Sequence, residues 1–154
     1  MTNNDILRRL RYALSLNDTK LKKIFSLGGH DPTSEDLKAY MGRDDEPHSV
    51  SLSDPLLGLF LDGLILTFRG PKDSSKGQRP PEEELTNNAI LKKLRIALSF
   101  QEADMLAVLD AGGSQLSKSE LTALFRKPNH KHYRPCGNQI LRNFLKGLTT
   151  RLRG

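Results

Sequence analysis

Thr2-Asn3-Asn4-Asp5-Ile6-Leu7-Arg8-Arg9-Leu10-Arg11 opens the chain, and 84 residues later it returns as Thr86-Asn87-Asn88-Ala89-Ile90-Leu91-Lys92-Lys93-Leu94-Arg95. The offset holds without a gap to the last residue. Gly28-Gly29 returns as Gly112-Gly113, Phe60-Leu61-Asp62-Gly63-Leu64 as Phe144-Leu145-Lys146-Gly147-Leu148, and Arg69-Gly70 as Arg153-Gly154. Of 69 aligned pairs, 22 are identical, too many for chance in an ungapped comparison, so the chain is an internal duplication. Copy one is residues 1–70 and copy two is residues 86–154. Residues 71–85 between them are rich in Pro, Ser, Gly and charge. Such a stretch cannot offset its ordering entropy by burial and reads as a flexible linker.

Each copy predicts four helices, so the fold class is all-α. Helix one carries Ile6, Leu7, Leu10, Ala13 and Leu14 on one stripe, with Arg8, Arg9 and Arg11 away from it. Ser15 with Asp18, and Ser99 with Glu102, read as capping boxes that start helix two. The glycine pairs end that helix, since glycine accepts positive φ. Thr33 with Asp36, and Ser117 with Glu120, cap helix three. Helix four follows Asp54-Pro55 in copy one and Asn138 in copy two. In copy two its apolar residues keep one stripe, whereas in copy one Leu59, Ile65 and Leu66 add a second apolar face. That surplus predicts two copies packed as an intramolecular dimer about a rough twofold, with helix four of copy one central. Gly63 and Gly147 would bring the two fourth helices together, and Asp62 would pair with Lys146. The alternative is a homodimer through helix four of copy one.

The copies differ in charge. The chain has a net charge of +6. Copy one holds nine basic and ten acidic residues, and copy two twelve basic and four acidic, so the positive balance sits in copy two. The basic stretch Phe125-Arg126-Lys127-Pro128-Asn129-His130-Lys131-His132-Tyr133-Arg134-Pro135-Cys136 is the densest part of it. Lys92, Lys93, Arg126, Lys127, Lys131, Tyr133, Arg134 and Arg142 are the expected contacts for a polyanion, whether RNA, DNA or an acidic protein surface. The competing expectation is a protein-interaction scaffold that uses the apolar face of helix four or the groove between copies.

Other chemistries find little support. His130, His132 and Cys136 are metal-ligand types, but their spacing matches no zinc pattern, so neither a metal nor a cofactor is expected. Leu52 at the matching place in copy one predicts that Cys136 buries against helix four; its basic neighbours would act to lower its pKa, yet no general base accompanies it. A helix-turn-helix reading of helices two and three fails on the long connection from Gly112 to Ser117. No nucleophile elbow, phosphate loop, zincin motif or dinucleotide fingerprint occurs, which argues against an enzyme. A single cysteine, no apolar run of spanning length and a polar N-terminus fit a cytoplasmic protein without a membrane segment.

The doubled opening Thr-Asn-Asn-x-Ile-Leu-x-x-Leu-Arg-x-Ala-Leu and the closing Cys136-Gly137-Asn138-Gln139-Ile140-Leu141-Arg142-Asn143-Phe144-Leu145-Lys146-Gly147-Leu148 resemble the YehS-like family. These are small bacterial cytoplasmic proteins with a duplicated domain of unknown function. The resemblance covers both copies. It implies a bacterial origin and a duplicated architecture, and it carries no activity, cofactor or catalytic residue.

Overall fold

The computed structural model describes residues 1–42, 47, 49–70 and 85–153. Among them are eight helices and no strand. Copy one supplies α1 (Asn3–Leu14), α2 (Asp18–Gly28), α3 (Ser34–Met41) and α4 (Asp54–Arg69). Copy two supplies α5 (Asn87–Leu98), α6 (Glu102–Ala111), α7 (Lys118–Leu124) and α8 (Asn138–Arg153). The linker, except for Leu85, lies outside the described residues, as does His48.

Helices α1 to α5 and α7 begin where a side chain accepts from a free N–H group; α8 begins at Asn138, after Gly137, without the Asn138 cap the sequence suggests. Thr2 accepts from the Asp5 N–H, and Thr33 and Ser117 form reciprocal boxes with Asp36 and Glu120. The boxes expected at Ser15 and Ser99 do not form. Both serines end the preceding helix instead, in left-handed backbone at φ 55° and 57°. Leu16 N–H then bonds the Arg11 carbonyl, closing the helix end. The cap of α2 is Asn17, and at the start of α6 the Gln101 N–H donates to the Asp104 carboxylate at 2.8 Å.

The opening motif is a clamp. Asn3 donates to the Leu52 carbonyl (3.0 Å) and to Asp54 (2.6 Å), which fixes the start of α4. Asn4 donates to the Tyr40 and Val50 carbonyls and accepts from the Leu52 N–H. Copy two repeats the pattern. Asn87 donates to the Cys136 carbonyl and to Asn138. Asn88 donates to the Leu124 and Arg134 carbonyls and accepts from the Cys136 N–H.

Within each copy, helices two and four cross backbone to backbone. A methyl group on Gly63 would overlap the Ile24 carbonyl, and one on Gly28 the Leu59 carbonyl. Gly147 and Val108, and Gly112 and Asn143, repeat the crossing in copy two. Gly63 and Gly147 therefore serve contacts inside their own copies and do not join the two fourth helices. The expected approach of helix four to helix four is replaced by another arrangement.

Each fourth helix packs on the first helix of the other copy. α4 lies against α5, and α8 lies against α1. Smaller contacts between α1 and α4, and between α5 and α8, close a ring of four helices, with α2 and α3 on one flank and α6 and α7 on the other. Asp62 pairs with Lys93 across the α4–α5 contact (2.6 Å), not with Lys146. At the ends of the ring, Arg69 donates to Ser99 (3.0 Å) and Arg153 to Ser15 (2.8 Å), a matched pair of cross-copy bonds. The pairs 62/93 and 69/99 show that α4 and α5 run side by side in the same direction. The second apolar face of α4 is taken by α5, with Ile65 packed against the common core.

Candidate polyanion-binding surface

The loop after α7 is basic in sequence and tied down in structure. Arg134 N–H bonds the Ala123 carbonyl, His130 N–H the Lys127 carbonyl and Tyr133 N–H the His130 carbonyl. Asn88 holds both arms of the loop, at Leu124 and at Arg134. The loop is thus anchored on α5 by the copy-two form of the opening clamp. Lys92 follows Asn88 by one turn on the same face of α5. At the equivalent place in copy one, Arg8 reaches the Gly42 carbonyl, and Gly42 corresponds to Arg126. Lys92 therefore borders the loop at Arg126.

The eight expected contact residues divide into two sets. Lys92, Lys127 and Lys131 are exposed, and none of them forms an ion pair among the described residues. Arg126 is half-buried, with Nη1 3.3 Å from His130 Nε2. Arg134 pairs with Glu120 at 3.1 Å, and Tyr133 is half-buried. Lys93 stands apart, committed to Asp62 in the α4–α5 contact. Arg142 also stands apart. It bonds Gln139 and precedes Lys146 by one turn on the same face of α8.

The loop's soft ligands do not assemble. His130 accepts the His132 backbone N–H through Nδ1, so it serves the loop's own turn. No group of three metal-binding side chains occurs among the described residues. Cys136 is buried, and burial pushes its thiol up to about 11, overriding the hydrogen bond and the Arg134 charge that act in the opposite direction. Cys136 is buried where its Leu52 counterpart predicts, and that burial outweighs the pull of its basic neighbours on the thiol. Leu52 occupies the same core position in copy one.

Sequence reasoning missed a second concentration of cations. Arg9 on α1 and Lys146 on α8 line the same cleft of about 360 Å³. The sequence places Arg9 on the polar face of helix one and predicts Asp62 as the partner of Lys146. Only the way α1 packs on α8 brings them together, and neither helix signals that partnership by its own periodicity.

Caps, clamp and glycine crossings occur twice over in this all-α duplication, and the same doubling appears in the comparisons with known proteins. The family model described as "Protein of unknown function (DUF1456)" matches residues 3–70 and again residues 87–154. The chain belongs to the DUF1456 family. It is similar to a protein of Escherichia coli strain K12 printed as "Uncharacterized protein YehS", with 43% identity over 151 residues, covering 98% of this chain and 96% of the relative. No solved structure matches. No helix among the described residues is long and apolar enough to cross a membrane.

Proposed function

We propose that this protein is a non-enzymatic binding module that takes a polyanion on the basic face of copy two. The contacts are Lys92, Arg126, Lys127, Lys131 and Arg134, with Tyr133 among them. One observation carries the reading: this loop is fastened to α5 through Asn88, and it presents exposed lysines that no carboxylate neutralises among the described residues. A pre-formed cationic loop binds phosphates without first having to be ordered. Lys93, spent on Asp62, is not part of this surface. The scarcity of aromatic residues favours backbone contacts over base stacking, so affinity is expected to exceed sequence selectivity.

Titration of the full chain with a labelled single-stranded RNA of about 20 nucleotides tests this. With about three phosphates neutralised, affinity falls roughly 20-fold between about 50 and 200 mM salt. The double variant Lys127→Glu, Lys131→Glu loses binding and keeps its helical signal. Absence of binding at low salt, or a double variant that binds as tightly as the parent, overturns the proposal.

A further inference from the structure

The two contacts between the copies are equivalent under the duplication; one basic position is shared, and four others differ in one direction. In the α4–α5 contact, Lys93 meets Asp62, and Ile65, Leu66 and Ile96 on the same two helices are half-buried. The offset of 84 places Arg9, Lys146, Thr149, Thr150 and Tyr12 at the corresponding positions of the α1–α8 contact. Where one contact sets a base against an acid, the other has two bases. Where one has three aliphatic side chains, the other has two hydroxyls and a phenol. Where the first contact is closed by an ion pair, the second opens into the cleft of about 360 Å³, which all five of these residues line.

We propose that this α1–α8 cleft is a binding site for a small phosphate ester, with the phosphate held between Arg9 and Lys146 and the organic part lying along Tyr12. Like charges brought together at an interface raise its energy unless an anion joins them. Arg9 and Lys146 are both exposed, and neither forms an ion pair among the described residues. The Thr149 and Thr150 hydroxyls add donors of the kind that satisfy phosphate oxygens beside charged groups. The volume suits a small ligand.

The adjoining cleft, of about 530 Å³, shares Arg8 and Tyr12 with the first and includes Arg11 and Arg153. Its charges are already engaged. Arg11 pairs with Asp18 at 3.0 Å. The Arg153 guanidinium stacks on the Tyr12 ring at 4.1 Å and bonds the Tyr12 carbonyl and Ser15. Arg8 is held by Asp5 and by the Gly42 carbonyl. The anionic group therefore belongs in the first cleft, between Arg9 and Lys146. The exposed ring of Tyr12, already stiffened by Arg153, offers an apolar edge that leads into the second. This site is separate from the α7–α8 loop and does not depend on the loop's binding anything.

The test is calorimetric titration of the full chain with AMP, inorganic phosphate and acetate at low salt, supported by thermal unfolding. AMP is expected to bind at least about tenfold more tightly than inorganic phosphate, and acetate not to bind. Lys146→Asp recreates opposite Arg9 the acid that closes the other contact. It is expected to weaken AMP at least about tenfold while the melting temperature of the unliganded chain holds or rises. Arg9→Gln is expected to weaken AMP comparably without the added pair. Lys127→Glu with Lys131→Glu, which disables the loop surface, is expected to leave AMP binding unchanged. The proposal is overturned if AMP does not bind, if AMP binds no more tightly than phosphate, or if Lys146→Asp binds it like the parent.

Discussion

Asn4 is a buried polar side chain in an otherwise apolar core, 2% exposed and bonded at all three of its contacts. It joins the end of α3, the incoming segment at Val50 and the N–H of Leu52. Asn4→Ala leaves two carbonyls and one N–H without partners in a region closed to water. Each orphaned group costs about 1–3 kcal/mol, with partial relief from solvent near Val50, so a total loss of roughly 3 kcal/mol is expected in chemical denaturation. Asn88→Ala, at the less buried copy-two site, is expected to cost about half as much and to loosen the basic loop it holds. Cys136 yields a second expectation at this scale. With its thiol at about 11, the folded protein reacts with a thiol reagent at pH 8 more than about 100-fold more slowly than a free cysteine, and at the ordinary rate once unfolded. The doubled asparagines were visible in the sequence as a repeated motif. Their role was not, because their partners lie 36 to 51 residues away and no local period reports on them.

Helices in this protein are set by caps and by glycine crossings, and the two differ in how far the sequence discloses them. The boxes at Thr33 and Ser117 were legible because a box is a local contract between residues three apart. The same spacing at Ser15 and Ser99 misled, since those serines close the helix before them and offer their hydroxyls to arginines of the other copy. The crossing glycines were legible as special but not in their partner, which a single helix does not specify. Two glycines in α4 separate the possibilities. Gly63→Ala drives a methyl group into the Ile24 carbonyl and is expected to cost more than about 3 kcal/mol, whereas Gly58→Ala meets open space and is expected to stabilise by about 0.5–1 kcal/mol. Thermal unfolding of the two variants, both within α4, reads the difference. The caps also carry a pH dependence. Backbone and hydroxyl bonds from Thr33 hold the Asp36 carboxyl below its ordinary value, and bonds from Ser117, with Arg134, do the same for Glu120. A carboxyl depressed on folding stabilises fully above its ordinary pKa near pH 4 and loses that contribution as pH falls through the folded value. The double variant Thr33→Ala, Ser117→Ala is thus expected to lower stability at pH 7 by about 1 kcal/mol per cap, with a shallower decline below about pH 4. Denaturation midpoints measured across that range test it.

At the scale of the whole molecule, the duplication supplies an internal control. Ile65 and Thr149 occupy equivalent places, one in a closed apolar contact and the other at the rim of a basic cleft. The same is true of Leu66 and Thr150, and of Asp62 and Lys146. The sequence disclosed the duplication and the surplus apolar face of α4. It did not disclose that α5 covers that face, because either fourth helix pairing with its counterpart would also have buried apolar surface. Geometry decided, through glycine faces already committed to α2 and α6. If the α1–α8 contact gave up stability to become polar and basic, then restoring its counterpart's residues recovers that stability. The triple variant Lys146→Asp, Thr149→Ile, Thr150→Leu replaces a like-charge approach with an ion pair and adds two aliphatic side chains at a half-covered interface. Partial burial of those side chains is worth about 1–2 kcal/mol, and an exposed pair adds up to about 1 kcal/mol. A gain of roughly 1–3 kcal/mol is therefore expected in denaturant titration. The mirror change in α4, Ile65→Thr with Leu66→Thr, removes apolar groups already packed on α5 and is expected to cost about as much. A triple variant no more stable than the parent shows that the open contact was never a sacrifice. A more stable one marks the α1–α8 cleft as a place where this fold has exchanged stability for a surface it uses.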